Sequence, residues 1–238
     1  MNSKELFDLG KLTDAIQALN EEVRSSPLDA KLRVFLFELL CFGGEYDRCE
    51  KQLDVLAQGG RNAELGALLY RAALSAERSR RQFFANKEYL SRPESAALPA
   101  GTLNERHFQQ ISDADPRIGP RLEVFLGGAY VWVPFEHITS ITIQPPKRLR
   151  DLIWTPALVH TADSFQGRDL GEVLVPVLSP DTWRHPDDEV RLGRATVWER
   201  QEDGTEVPFG QKMILVDGDE IPILELRSLE LGMTAAAR

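Results

Sequence analysis

The chain has 238 residues, 42% of them hydrophobic and 27% charged, with 28 Lys+Arg set against 37 Asp+Glu for a formal net charge of -9. That is enough apolar material for one large or two small packed domains, and it excludes a disordered chain. The acidic excess argues against nucleic acid or an anionic membrane as the main partner, because both are held through Lys and Arg.

The N-terminus, Met1-Asn2-Ser3-Lys4-Glu5, lacks the apolar run of a secretory signal, so a cytoplasmic location is expected. A short first helix is expected over about Ser3 to Leu9. Gly10-Lys11-Leu12-Thr13-Asp14-Ala15 then returns as Gly44-Glu45-Tyr46-Asp47-Arg48-Cys49 at an offset of 34 residues, the period of the tetratricopeptide repeat. Gly10 matches Gly44, Leu12 matches Tyr46, Ala15 matches Cys49 and Leu19 matches Leu53. This is the order of a turn glycine, a large residue, a small residue where helices cross, and a second large residue. Pro27 closes the first hairpin and Gly59-Gly60 the second, glycine suiting a helix C-terminus. Helices are predicted over 13–25, 29–42, 46–57 and 62–79, with another over 80–90. The apolar stretch Val34 to Phe42, interrupted by Glu38, falls far short of the ~20 residues of a membrane span. A third copy starting near Glu64 puts Phe83 at the small-residue position, so the pattern reads as two repeats and a degenerate third.

Stacked hairpins of this kind leave a concave surface lined by their first helices. The repeat register directs Lys31, Val34, Glu38 and Cys41 of one hairpin, and Leu65, Leu68 and Ala72 of the next, toward that surface. These are the candidate partner-binding residues. The alternative is that Val34, Leu65 and Leu68 are inter-helix core.

The segment 91–104 carries two prolines and a glycine without helical periodicity and reads as a linker. It divides helical repeats over 1–90 from a β-rich part over 105–238 that begins with short helices. One of these is expected at 104–112. Another follows Gly119-Pro120 and stops at Gly127-Gly128, although Leu122, Val124 and Leu126 also alternate as in a strand. Strands are predicted at 129–133, 138–144, 152–160, 171–178 and 195–200. Asp217-Gly218 joins 212–216 to 220–224 as a tight hairpin, and Pro222 places the second of these strands at a sheet edge. The fold class is α+β: an N-terminal tetratricopeptide-like α-hairpin array followed by a small β-rich domain, barrel-like or sandwich-like.

The chemistry-bearing residues are scattered. His107, His137, His160 and His185 stand singly, without metal-ligand spacing, so no metal and no cofactor is expected. Arg184-His185-Pro186-Asp187-Asp188-Glu189 reads as a solvated acidic loop rather than an acid–base site, and Asp217-Gly218-Asp219-Glu220 as a turn rather than a calcium loop. Phosphate-loop and serine-hydrolase motifs are absent from the sequence, and Ser164 and Ser179 qualify only as serines. The basic islands Arg78-Ser79-Arg80-Arg81 and Lys147-Arg148-Leu149-Arg150 are read as solvated charge, with an acidic partner segment as the alternative. Cys41 and Cys49 are close enough in sequence to face one another across a turn, and packing at the crossing position accounts for Cys49. Trp132, Trp154, Trp183 and Trp198 all fall in the β-rich part and read as core.

Several blocks carry a family resemblance: Phe35-Leu36-Phe37 with Leu39-Leu40-Cys41, Ile111-Ser112-Asp113-Ala114-Asp115, Trp132-Val133-Pro134-Phe135-Glu136, Arg148-Leu149-Arg150-Asp151-Leu152-Ile153-Trp154, Arg191-Leu192-Gly193-Arg194-Ala195-Thr196 and Leu224-Glu225-Leu226-Arg227-Ser228-Leu229. In that order they resemble the ImpE/SciE-type family, also called TagJ, of type VI secretion accessory proteins. The resemblance implies a cytoplasmic, non-enzymatic adaptor. It further implies that the adaptor binds the N-terminal helix of the small sheath subunit and influences sheath handling, including disassembly by the machine's AAA+ ATPase. Relative to that family the helical array looks short by about one hairpin. Two other readings stay open: an enzyme with a site around His137, His160 or His185, and a general peptide-binding co-chaperone.

Overall fold

The structure, a computed structural model, describes residues 1–91, 99–165 and 169–232. Part of the expected linker therefore lies outside the described residues. Five helices come first: α1 (Ser3–Asp8), α2 (Leu12–Ser25), α3 (Ala30–Phe42), α4 (Tyr46–Leu56) and α5 (Arg61–Ala85). Asn2 caps α1 by accepting from the Glu5 amide at 2.8 Å, and the Glu5 carboxylate accepts from the Asn2 amide at 3.0 Å. Asp29 caps α3 through the amides of Lys31 and Leu32.

The repeat register is visible in the packing. Gly10 and Gly44 both turn the chain in the left-handed region, with φ of 76° and 68°. Leu12, Ala15, Leu19, Tyr46, Cys49 and Leu53 are all buried. The degenerate third copy has a physical cause. Helix α5 runs unbroken for 25 residues, without the expected division near 79/80, and its partner is a β-sheet instead of a second helix. Phe83 packs its ring 5.6 Å from that of Tyr130 and 4.8 Å from that of Trp132. A large residue belongs at this position because it meets a sheet and not a crossing helix.

The remaining elements are β1 (Gly101–Leu103), β2 (Arg106–Phe108), β3 (Ile111–Asp113), β4 (Arg121–Leu126), β5 (Ala129–Pro134), β6 (Ile138–Ile143), β7 (Trp154–Thr161), β8 (Gly171–Pro176), α6 (Asp188–Arg191), β9 (Val197–Arg200), β10 (Glu206–Phe209), β11 (Met213–Val216), β12 (Asp219–Pro222) and β13 (Ser228–Leu231). An eight-stranded antiparallel sheet runs β2-β1-β13-β6-β7-β8-β4-β5, beside a three-stranded sheet β12-β11-β3 and the β9/β10 hairpin. The large sheet ends at β2 and β5, so it is not a closed barrel. Ile111, Ile214 and Val216 of the smaller sheet share one core with Val124, Val159 and Leu229 of the larger, the layered arrangement of a sandwich. Pro222 lies on edge strand β12, where a missing amide is tolerated.

Two sequence expectations are corrected. The helix expected at 104–112 is instead a turn, β2 and the start of β3, because Asn104 and Glu105 both take positive φ, 47° and 68°, and turn β1 back onto β2. The helix expected after Pro120 is β4, turned into β5 by Gly127 and Gly128. The alternation of buried Leu122 and Val124 prevails over the helix-start signal of Gly119-Pro120.

One apolar cluster crosses between the two parts. Leu36, Leu39 and Leu74 of the array share it with Phe125, Trp154 and Leu192 of the β-rich part. The segment read as a solvated acidic loop takes part in this junction. Asp187 caps α6, and Asp188 accepts from the Thr13 amide of α2 at 2.9 Å.

Candidate functional site

The first helices α1, α3 and α5 touch through aromatic pairs, Phe7–Phe35 at 5.7 Å and Phe37–Tyr70 at 5.5 Å between ring centres. Along α3 the candidate residues pass from exposed Lys31 through half-buried Val34 to buried Glu38 and Cys41. Along α5 they pass from Leu65 and Leu68, 58% and 62% exposed, to half-buried Ala72. The β-rich part causes this gradient. Gly128 of the β4–β5 turn sits against Ala72, where an added side chain meets helix backbone at 3.6 Å. The segment around Arg150 lies over α3, with the Arg150 guanidinium 4.8 Å from the Tyr70 ring centre. Glu38 accepts a hydrogen bond from the Arg150 backbone; burial raises its carboxyl above the usual range, and Arg150 opposes that rise.

The open part of the surface is therefore its N-terminal half: Lys31 and Val34 on α3, and Leu65 and Leu68 on α5. Leu69, 55% exposed, belongs with them. Leu65, Leu69 and Ala72 follow helical i, i+4, i+7 spacing, a stripe that the repeat register alone did not single out because it was aligned on α3.

Sequence reasoning also missed a buried charge network at the junction, since it read Arg78-Ser79-Arg80-Arg81 as solvated. Arg78 is indeed on the surface, paired with Glu50 at 2.5 Å and Asp47 at 2.7 Å. Arg80 is 4% exposed. Its Nε and Nη2 each donate to the Glu123 carboxylate of β4 at 2.8 Å, and Nη2 also donates to the Leu178 carbonyl at 3.0 Å. Lys212, immediately before β11, bridges Glu123 at 2.6 Å and Asp113 of β3 at 2.5 Å. Tyr130 donates to Glu123, and the Trp132 indole donates to Tyr130. With two cations on it, Glu123 is held far below the usual carboxylate range despite its burial. Burial pushes Asp113 up to about 7, because Lys212 is its one cationic neighbour and Glu123 and Asp115 are both close. The network joins the array to the sheet.

His137, His160 and His185 form separate pairs. His137 Nδ1 lies 3.0 Å from Ser164 Oγ, His160 Nδ1 lies 2.7 Å from the Asp169 carboxylate, and His185 Nε2 lies 3.2 Å from Glu199. Among the described residues no group of three or more His, Cys, Asp and Glu is placed to hold a metal ion. Among the same residues no helix is long and apolar enough to cross a membrane. Of the tryptophans, Trp154 is core, donating to Glu77 at 3.1 Å, while Trp198 is 37% exposed.

Comparison with known proteins agrees with this architecture. The X-ray crystal structure of a Vibrio parahaemolyticus protein superimposes with a TM-score of 0.85, at 24% identity and covering 98% of each chain, which bears on the fold. The Pseudomonas aeruginosa protein named type VI secretion system accessory component TagJ is 34% identical over 269 residues, spanning 99% of this chain and 93% of that one. The family model described as ImpE protein matches residues 105–230. Joined to the near full-length relationship with the Pseudomonas protein, that match means that the chain belongs to the ImpE family.

Proposed function

We propose that this protein is a non-enzymatic, cytoplasmic accessory component of a type VI secretion system that binds the N-terminal helix of the small sheath subunit. The observation that carries the proposal is the apolar stripe on α5, with Leu65, Leu68 and Leu69 all more than half exposed. An amphipathic helix laid across α3 and α5 removes these leucines from water. Fully burying a leucine is worth roughly 1.5–3 kcal/mol, so completing the burial of three half-exposed ones provides a large share of a micromolar affinity. Lys31 at the rim supplies a cation for an acidic residue on the polar side of the incoming helix. Helix-in-groove recognition needs such a preformed apolar strip and a polar edge. Glu38, Cys41 and Ala72 act from beneath the β-rich part and set the shape of the groove floor.

Membership of the ImpE family and the name of the Pseudomonas relative support the secretion-system assignment. Holding the sheath subunit's helix in this way places the protein where it influences sheath disassembly by the AAA+ ATPase. The test is a pull-down of the small sheath subunit with wild type, Leu65→Asp/Leu68→Asp and Lys31→Glu. Retention of the subunit by wild type and its loss with the double leucine variant supports the site; equal retention by both rejects it.

A further inference from the structure

Behind the ion network, where α3, α4 and α5 meet the loop 178–183, lies a cleft of about 30 Å³ lined by Tyr46, Glu77, Arg81, Ser179, Asp181 and Trp183, among others. The Arg81 guanidinium is clamped between two rings, 4.3 Å from the centre of Tyr46 and 3.9 Å from that of Trp183. Its Nη2 donates to the Gly44 carbonyl at 3.1 Å, while its Nε is buried without a hydrogen-bond partner. Ser179 is 2% exposed, and its Oγ is likewise unpartnered. Two buried donors left open in one cleft are costly unless something occupies it.

The charges define the occupant. Glu77 is engaged by Trp154 at 3.1 Å and Tyr46 at 3.4 Å, and it faces Arg80 at 3.7 Å. Asp181 lies 3.7 Å from both Arg117 and Arg184. Arg80 is satisfied by Glu123. Among the charged residues of the lining, Arg81 therefore stands as the half-buried cation with no carboxylate paired to it among the described residues. The free volume is that of a pair of waters or one small planar group. We propose that the cleft binds a single carboxylate, with Arg81 Nε and Ser179 Oγ as its donors and the Tyr46 and Trp183 rings holding the guanidinium in place. A dianionic phosphate exceeds the room and carries more charge than the one unpaired guanidinium can meet. The carboxylate belongs to a small monocarboxylic acid or to a Glu side chain of a partner.

The test uses the full chain at pH 7 and constant ionic strength, comparing sodium propionate, N-acetylglutamate amide, sodium phosphate and sodium chloride by thermal unfolding. At about ten times its dissociation constant, a bound carboxylate raises Tm by roughly 3–6 °C in a protein of this size. The expected result is such a rise with propionate or with the blocked glutamate, the larger rise identifying the source, and phosphate no better than chloride. The rise disappears in Arg81→Gln and shrinks in Ser179→Ala, a variant that keeps the fold because the hydroxyl makes no hydrogen bond. Carboxylates no better than chloride, or a rise unchanged in Ser179→Ala, overturns the proposal and leaves the cleft to water alone.

Discussion

Arg80 on α5 holds Glu123 on β4 through two hydrogen bonds of 2.8 Å, with both side chains almost wholly shielded from water. The pair joins the helical array to the sheet, and through Lys212 it extends to β3 and β11. Removing one partner of a buried pair costs about 3–5 kcal/mol, because the other charge stays buried and uncompensated. Glu123→Gln, which leaves Arg80 and Lys212 facing a neutral amide, is expected to lose stability in that range. Urea unfolding measures it, and a loss below about 1 kcal/mol contradicts the role of the joint.

Asp113 gives the joint a pH dependence of definite sign. Its carboxyl, near 3.8 in the unfolded chain, is pushed up to about 7 in the fold. Between those values the native state holds a proton that the unfolded chain has released. The contribution of Asp113 to stability therefore falls as pH rises across that window. Glu123 works in the opposite direction: held below its ordinary value of 4.5, it stabilises above that pH and loses this as pH falls. Asp113→Asn keeps a neutral side chain at every pH, so the stability of the variant relative to wild type should improve from about pH 4 to about pH 7. Denaturant midpoints at several pH values show this, and parallel curves for the two proteins contradict it.

Cys49 occupies the small crossing position of the second repeat. The residue is fully buried, with its Sγ 3.5 Å from that of Cys41. The small crossing position leaves no room for added methylenes, and overpacking costs typically 1–3 kcal/mol. Cys49→Leu should lose that much in thermal or denaturant unfolding, whereas Cys49→Ala should lose less. If Cys49→Leu is tolerated without loss, the crossing is looser than the packing indicates.

How far these features are legible in the sequence depends on their range. Gly10 and Gly44, Ala15 and Cys49 are local signals repeated at a fixed period, and they place four helices to within a residue or two. The turn Asp217-Gly218 and the edge proline Pro222 are equally local. The β1–β2 turn was hidden because Asn104-Glu105 lacks the glycine that usually announces two successive positive φ values. Pro120 misled because proline suits a helix start as well as a strand edge. The joint of Arg80, Glu123, Lys212 and Asp113 joins residues far apart along the chain, and a basic island carries no sign of which of its arginines points inward. The partition of the groove has the same origin: Lys31 and Glu38 share a face of α3, and only the docking of the Arg150 segment buries one and leaves the other exposed.

That partition separates folding from binding. Leu65 and Leu68 are already in water, so Leu65→Asp/Leu68→Asp should change stability by no more than about 0.5 kcal/mol per site. Glu38→Lys, placed beside Arg150 under the β-rich part, should unfold or strongly destabilise the chain. Circular dichroism melts of the two variants distinguish these outcomes, and a stable Glu38→Lys contradicts the burial of that end of the groove.

The most direct measurement is calorimetric titration of the full chain with a synthetic peptide of the cognate small sheath subunit's N-terminal helix, beside a scrambled peptide of the same composition. The expected result is binding of the native peptide at least tenfold tighter than the scrambled one, a preference lost in Leu65→Asp/Leu68→Asp while the fold is kept. Equal affinity for the two peptides, or an unchanged preference in the leucine variant, contradicts the adaptor role assigned to this face.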